Sequence, residues 1–112
     1  MRSRAAITPT HLEITLGGWA RVAGLAPRTL RFSVDRIESQ TDMVAREAGR
    51  LLGWRIGGTA FSHQRAMGWF TVRTQKGARA WVWLTPGRQV RVFRLNSGKV
   101  RLVAVPVDWF DE

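Results

Sequence analysis

Short runs of alternating apolar and polar residues, separated by turns that contain glycine, constrain the fold of this chain more than any other feature. The C-terminal half contains four of these runs, at residues 69–75, 78–84, 89–95 and 99–107. Each intervening turn is two to four residues long and contains Gly, as antiparallel hairpins require. Because side chains alternate between the two faces of a strand, the pattern predicts a β-meander of four strands.

The N-terminal half contains two further alternating runs, at residues 12–16 and 30–34, which predict two more strands. Residues 17 and 18 are both Gly and indicate a tight turn after the first of them. Residues 19–24 are therefore predicted to return as the second strand of a short hairpin.

One segment of the N-terminal half has helical spacing instead. Apolar residues recur within residues 43–52 at helical intervals, and Asp42 is a candidate N-cap, so one short helical segment is predicted there. Residues 53–68 contain four Gly and are predicted to form a long loop that needs a positive φ at Gly57-Gly58. The residues predicted to shape this loop are Gly53, Gly57, Gly58, Thr59 and Gly68.

About seven short strands and one short helical segment predict a mainly β fold, either a small β-barrel or two packed antiparallel sheets. The chain has 112 residues, which is near the commonest size of a single domain, and no linker divides it. We predict one domain at residues 10–107, an N-terminal extension at residues 1–9 and a C-terminal stub at residues 108–112.

Composition excludes several classes of protein. Hydrophobic residues make up 45% of the chain, which argues against intrinsic disorder. No apolar run approaches the roughly 20 residues of a membrane-spanning helix, and residues 1–20 lack the layout of a signal peptide. The chain has no Cys, which excludes disulfides and thiolate zinc sites. The expected location is the cytoplasm, with peripheral attachment to a membrane as the alternative.

Positive charge is concentrated in one part of the sequence. The net charge is +10, and residues 48–107 contain 11 Lys or Arg but no Asp or Glu. Since most of these basic residues belong to the predicted meander, the charge is a property of strand faces and not of a basic tail or a phosphate-binding loop. A broad positive surface is compatible with both anionic lipid and nucleic acid.

Four segments, in their order, resemble the bacterial pleckstrin-homology-like (PH-like) domain family. Residues 10–25 are similar to the family's opening hairpin, residues 29–40 to the strand that follows, residues 50–61 to a loop with Gly and Thr, and residues 67–84 to an aromatic hairpin. The resemblance covers roughly residues 10–107. It implies two perpendicular antiparallel sheets, usually of four and three strands, closed by a C-terminal helix.

The resemblance also implies a binding or scaffolding role, because PH-like domains bind phosphoinositides, bind peptides or act as scaffolds. Only five residues follow Val107, so the closing helix is missing from the pattern. Trp109 and Phe110 are predicted either to plug the open end of the barrel or to contact another chain. The turn at residues 17–19 lacks basic residues, so the usual headgroup pocket of phosphoinositide-binding members is not expected.

Basic and aromatic residues alternate along the predicted meander and form the candidate binding face. Within residues 79–84, Arg and Trp occupy one face and aliphatic residues the other. Period two leaves open whether the Trp face is exposed or belongs to the core. An exposed face of Trp and Arg can contact a protein, contact an anionic lipid surface or stack nucleobases. The candidate residues are Arg73, Arg79, Trp81, Trp83, Arg91, Phe93 and Arg101.

Catalytic chemistry has little support in the sequence. The chain has two His, His11 and His63, and neither Cys nor Tyr, and the acid-free stretch offers no carboxylate base. We predict a non-enzymatic module without a cofactor or a metal. The favoured partner is a protein, with self-association included. The alternatives are an anionic membrane surface and, third, nucleic acid bound through the same basic surface.

Overall fold

A computed structural model describes residues 3–24, 26–62 and 64–110, which form nine strands, two short α-helices and two 3-10 turns. The strands are β1 (Arg4–Ile7), β2 (His11–Thr15), β3 (Thr29–Ser33), β4 (Ile37–Val44), β5 (Leu52–Ala60), β6 (Ala66–Val72), β7 (Gln75–Leu84), β8 (Gln89–Leu95) and β9 (Val100–Pro106). The helices are α1 (Gly18–Gly24) and α2 (Ala45–Gly49), and the 3-10 turns are Val34–Arg36 and Val107–Trp109. The prediction of a mainly β fold is confirmed, with nine strands where about seven were expected.

The strands form a three-stranded sheet, in the order β1-β2-β3, and a six-stranded sheet, in the order β4-β8-β9-β7-β6-β5. β9 lies between β7 and β8 and is parallel to β7, whereas it is antiparallel to β8. The four predicted strands exist, but the predicted meander order is wrong, and the six-stranded sheet is not purely antiparallel. Residues 102–106 of β9 are all buried, and such a continuous apolar strand favours a central place with both of its faces covered.

Both faces of the six-stranded sheet are buried. One face carries Ala80 and Val82, which pack with α2 in a mostly aliphatic cluster. The other face carries Trp81 and Phe93, which pack against Leu12 and its neighbours in the three-stranded sheet. Two sheets therefore pack face to face, as the predicted fold class requires.

The six-stranded sheet is curved, but it is not a closed barrel. Its two edge strands, β4 and β5, are connected only by residues 45–51. The five strand spacings of a flat sheet would separate the two edges by about 24 Å. A connection of this length that includes a five-residue helix reaches about 18 Å, so the sheet must curl. Of the two predicted alternatives, a small barrel and two packed sheets, the structure has the second. Its sheets of three and six strands differ from the four and three that the PH-like resemblance implies. That resemblance stays a prediction.

Helix α1 replaces the strand that was predicted at residues 19–24. Its last two carbonyl groups accept hydrogen bonds from the six-stranded sheet: Thr59 Oγ1 donates to Ala23 O (3.2 Å), and Trp81 Nε1 donates to Gly24 O (3.1 Å). These bonds satisfy carbonyls that a helix end leaves without an intrahelical partner. The strand prediction is wrong because side chains from distant strands bond to the end of this helix and stabilise it. The local pattern of residues does not reveal such distant partners.

The boundaries of other elements also differ from the predictions. The predicted helical segment at residues 43–52 is confirmed only for α2, since Met43 and Val44 end β4 and Leu52 begins β5. The predicted N-terminal extension contains β1, which pairs with β2. The predicted C-terminal stub begins within the last 3-10 turn, and residues 111 and 112 lie outside the described residues.

Candidate functional site

Two residues of the predicted binding face belong to the core. The side chains of Trp81 and Phe93 are both 0% exposed. They lie on the face of the six-stranded sheet that the three-stranded sheet covers. Of the two alternatives that the sequence left open for this face, burial in the core therefore holds for Trp81 and Phe93, because a second sheet packs over this side of β7 and β8.

The three remaining aromatic residues that were singled out form the rim of this core. Trp83 is half-buried, and its ring lies 5.8 Å from that of Trp109. The ring of Phe110 lies 5.7 Å from that of Phe93, and both Trp109 and Phe110 pack against the core between the two sheets. Trp109 and Phe110 thus belong to the margin of this core, while their roles as a plug or as a contact with another chain stay predictions.

The candidate arginines have separate environments. Arg91 forms two hydrogen bonds with Asp42, at 2.8 and 3.1 Å, and its guanidinium lies 4.9 Å from the centre of the Phe110 ring. The hydrogen bonds from Arg91 hold the pKa of Asp42 below its ordinary value, and Asp42 in turn raises the pKa of Arg91. Arg101 Nε donates to Gly98 O (2.8 Å), which fixes this side chain against the preceding turn.

Arg73 and Arg79 are exposed, and they project into solvent from positions near β6 and on β7. Arg73 lines a shallow hollow of about 400 Å³ together with Gly53, Trp54 and Thr71. This hollow lies beside β5, at one edge of the six-stranded sheet. The structure therefore places one predicted site residue next to a surface that the sequence analysis did not identify.

The residues that were assigned to a loop belong to paired strands. Gly53, Gly57 and Thr59 lie on β5, and the prediction of a long loop at residues 53–68 is wrong. Gly58 has φ +108° and lies opposite Gly68, which has φ +125°. The expected positive φ is thus confirmed at Gly58, although it occurs within a ladder. A Cβ on either residue would collide with the backbone of the other strand, so these two strands approach closely only because both residues are Gly.

β5 carries the most exposed aromatic surface of the described chain. Trp54 is 82% exposed, Phe61 at the end of the strand is 74% exposed and Ile56 is 48% exposed. We call these three residues the β5 surface. Sequence reasoning missed it because the surrounding Gly residues suggested a loop. The available signal was the alternation of Leu52, Trp54 and Ile56 at period two.

The local structure of β5 explains why these side chains face solvent. The register with β6 shifts twice between Leu52 and Gly57, as in β-bulges. At the first shift, Trp54 N donates to Thr71 Oγ1 (2.7 Å), and Gly53 leaves room for that hydroxyl. A bulge adds twist and re-aims side chains, so Trp54 turns away from the core that buries Leu52.

The charged residues that neighbour the β5 surface in the sequence have one sign. Arg55 on β5, Arg65 immediately before β6 and Arg73 immediately after it are exposed. The nearest acidic residues in the sequence are Glu47 and Asp108, on either side of the acid-free stretch. Exposed Trp, Ile and Phe side chains with Arg residues near them in the sequence can contact an apolar partner that carries negative charge.

The described part of the chain contains no candidate metal centre. His11 is exposed, and its Nδ1 lies 2.8 Å from Thr10 Oγ1. His63 lies outside the described residues. Within residues 3–24, 26–62 and 64–110, no group of three or more His, Cys, Asp or Glu side chains could hold a metal ion. Across the same ranges, none of the helices has both the length and the apolar character needed to cross a membrane.

Comparisons of the chain with protein-family models, with curated proteins and with solved structures find no significant match.

Proposed function

We propose that this protein is a non-enzymatic protein-binding module, and that the β5 surface is its contact with a partner. The exposure of Trp54 and Phe61 carries this proposal. Aromatic side chains and Arg dominate the energetics of protein interfaces. Peptide binding and scaffolding are also among the roles that the PH-like resemblance implies.

The charge of the chain supports a partner different from itself. A net charge of +10 repels a second copy, and the arginines near the β5 surface would face one another in a symmetric dimer formed through β5. An acidic partner is attracted by the same charges, most strongly at low salt. We therefore favour a different protein with an acidic contact region over self-association.

The test asks whether partner binding depends on the β5 surface. The double variant Trp54→Ser/Phe61→Ser removes the two most exposed rings and leaves the core intact. The matched control is Ile7→Ser, because Ile7 is 46% exposed and lies on β1 in the other sheet. Partners recovered by in-cell cross-linking are purified, and their affinities for the three proteins are measured by calorimetry.

We expect the double variant to bind at least about tenfold more weakly than the wild type, since hot-spot aromatics contribute about 2 kcal/mol or more each. The Ile7→Ser control is expected to retain wild-type affinity. Equal affinity of the wild type and the double variant for every purified partner would contradict the proposal.

Binding to an anionic membrane surface is the second candidate function. Exposed Trp54 and Phe61 beside Arg55 and Arg65 favour it, because Trp prefers the headgroup region and each basic residue adds about 1 kcal/mol at an anionic leaflet. Co-sedimentation with phosphatidylglycerol vesicles and with phosphatidylcholine vesicles tests it. Binding that is equal with both lipids, or absent with both, would eliminate this candidate.

Nucleic acid is the third candidate, and the burial of Trp81 and Phe93 removes the rings that were expected to stack on bases.

A further inference from the structure

One side of strand β5 is not paired with another strand of the described chain. β5 is the last strand of the six-stranded sheet, and among the residues that the structure describes it pairs with β6 alone. An edge strand of this kind presents backbone N–H and C=O groups that no neighbouring strand uses. Any partner of β5 therefore meets hydrogen-bonding groups as well as exposed side chains.

The register identifies the groups that point outward. Phe61 N donates to Arg65 O (2.9 Å), so this pair is a hydrogen-bonded pair of the β5–β6 ladder. Hydrogen-bonded and non-hydrogen-bonded pairs alternate along an antiparallel ladder. The pairs Gly58–Gly68 and Ala60–Ala66 are then non-hydrogen-bonded. The N–H and C=O groups of Gly58 and Ala60 consequently point away from β6.

The side chains that β5 offers in this stretch are small. Gly58 has no side chain, and the side chain of Ala60 is short and half-buried. The register shifts lie before Gly57, so the pairing of residues 57–60 with β6 continues without a further shift. Trp54 and Phe61 flank this stretch at a separation of about 23 Å for extended chain, which is the length of about seven residues.

We propose that the partner of this protein binds by strand addition: an extended segment of a partner protein, with acidic and apolar side chains, pairs with β5 at Gly58 and Ala60. This inference rests on the proposed function and specifies the mode of binding. The backbone of the segment bonds to the free groups of β5, its apolar side chains cover Trp54 and Phe61, and its carboxylates lie near Arg55.

The backbone groups and the charges select this occupant. Lipid offers no regular row of donors and acceptors for the free N–H and C=O groups, whereas a strand satisfies them all. A second copy of β5 brings Arg55 against the same basic surface, which is unfavourable. An acidic extended segment both satisfies the backbone groups of β5 and places negative charge near Arg55.

The experiment uses the full chain and synthetic peptides. An array of eight-residue peptides that alternate Asp or Glu with Val, Ile or Phe is the probe, and the same peptides with Lys in place of the acids are the matched control. Peptides that bind are then made with N-methyl groups on every second residue, in two series that block opposite edges of the peptide strand.

We expect acidic peptides to bind at least tenfold more tightly than the Lys peptides. N-methylation along one edge is expected to weaken binding at least tenfold, while N-methylation along the other edge leaves it unchanged. In the saturated complex, hydrogen exchange at the amides of Gly58 and Ala60 slows at least tenfold. The amides of Gly77 and Gly87, in turns away from β5, exchange at their original rates.

The outcomes separate this inference from the proposed function. Equal binding of both N-methylated series, together with loss of binding by Trp54→Ser, overturns strand addition and retains the β5 surface as a protein contact. Strand addition is also overturned if no acidic peptide binds, or if none protects the two amides. The proposed function is then tested separately by the affinities of the cross-linked partners for the wild type and the double variant. If phosphatidylglycerol vesicles protect the two amides and no peptide does, both strand addition and the proposed protein-binding function are overturned, and membrane binding is supported instead.

Discussion

Trp81 and Trp54 are the same kind of residue in opposite environments. Trp81 lies on β7, near the middle of the six-stranded sheet, and is fully buried with its indole N–H bonded to Gly24 O. Trp54 lies on the edge strand β5 and is 82% exposed. Both follow an alternating strand pattern and have Arg nearby in the sequence. The position of a strand within the sheet, and not its local sequence, therefore decides which Trp stabilises the fold and which is available to a partner.

Removing the two indoles is the largest test of this contrast. Trp81→Ala is expected to reduce the free energy of unfolding by about 3–5 kcal/mol, because it leaves a large cavity and removes a bond to the end of α1. Trp54→Ala is expected to change it by less than about 0.5 kcal/mol. Urea unfolding of both variants, followed by circular dichroism, measures the difference. Comparable destabilisation by both changes would break the contrast.

The contact between β5 and β6 gives an intermediate effect. Gly68→Ala places a Cβ against the backbone of β5 at φ +125°, so strain of about 1–3 kcal/mol adds to the displacement of a strand. The control is Gly87→Ala, where φ is +75° and no atom lies within 4 Å of the added Cβ. We expect the control to cost about 1 kcal/mol. Thermal unfolding compares the stabilities of the two variants. A larger loss of stability in Gly87→Ala than in Gly68→Ala would contradict the claim that the close approach of β5 and β6 requires Gly68.

The opposite edge strand, β4, gives the smallest effect. Asp42 is 40% exposed and bonds to Arg91, so Asp42→Asn is expected to reduce stability by about 0.5 kcal/mol or less at neutral pH. The lowered pKa of Asp42 fixes the sign: its stabilisation is present above the unfolded-state pKa, near 4, and is lost as the pH falls through the folded-state pKa. Unfolding measured from pH 7 to pH 2 should show the two curves converging in acid. A difference that grows in acid would contradict this assignment.

Local pattern was sufficient where a strand depends on its own alternation. The runs at residues 12–16, 30–34 and 89–95 became β2, β3 and β8 with small changes at their ends. Pattern failed where distant partners decide the structure. β5 contains three Gly, which have low strand propensity, yet Gly58 is required there because β6 approaches it closely at Gly68.

The candidate site was located only in part for the same reason. Arg73 was identified from the sequence and lines the hollow beside Trp54, but Trp54 itself was hidden in an apparent loop. Trp81 was a candidate binding residue because Arg and Trp alternate with aliphatic residues along its strand. In the structure both faces of this strand are buried, so the alternation does not mark an exposed face. Period two separates two faces of a strand and carries no information on which of them a second sheet covers.

The sequence by itself determined that this chain is mainly β, where most of its strands lie, and that its positive charge belongs to the acid-free stretch at residues 48–107. Tertiary structure decided the strand order, the insertion of β9 beside β7, and the exposure of each Trp. The physical reason is that alternation and turn chemistry are local properties of the backbone. Burial depends on which surfaces meet, and those contacts join residues that are far apart in the sequence.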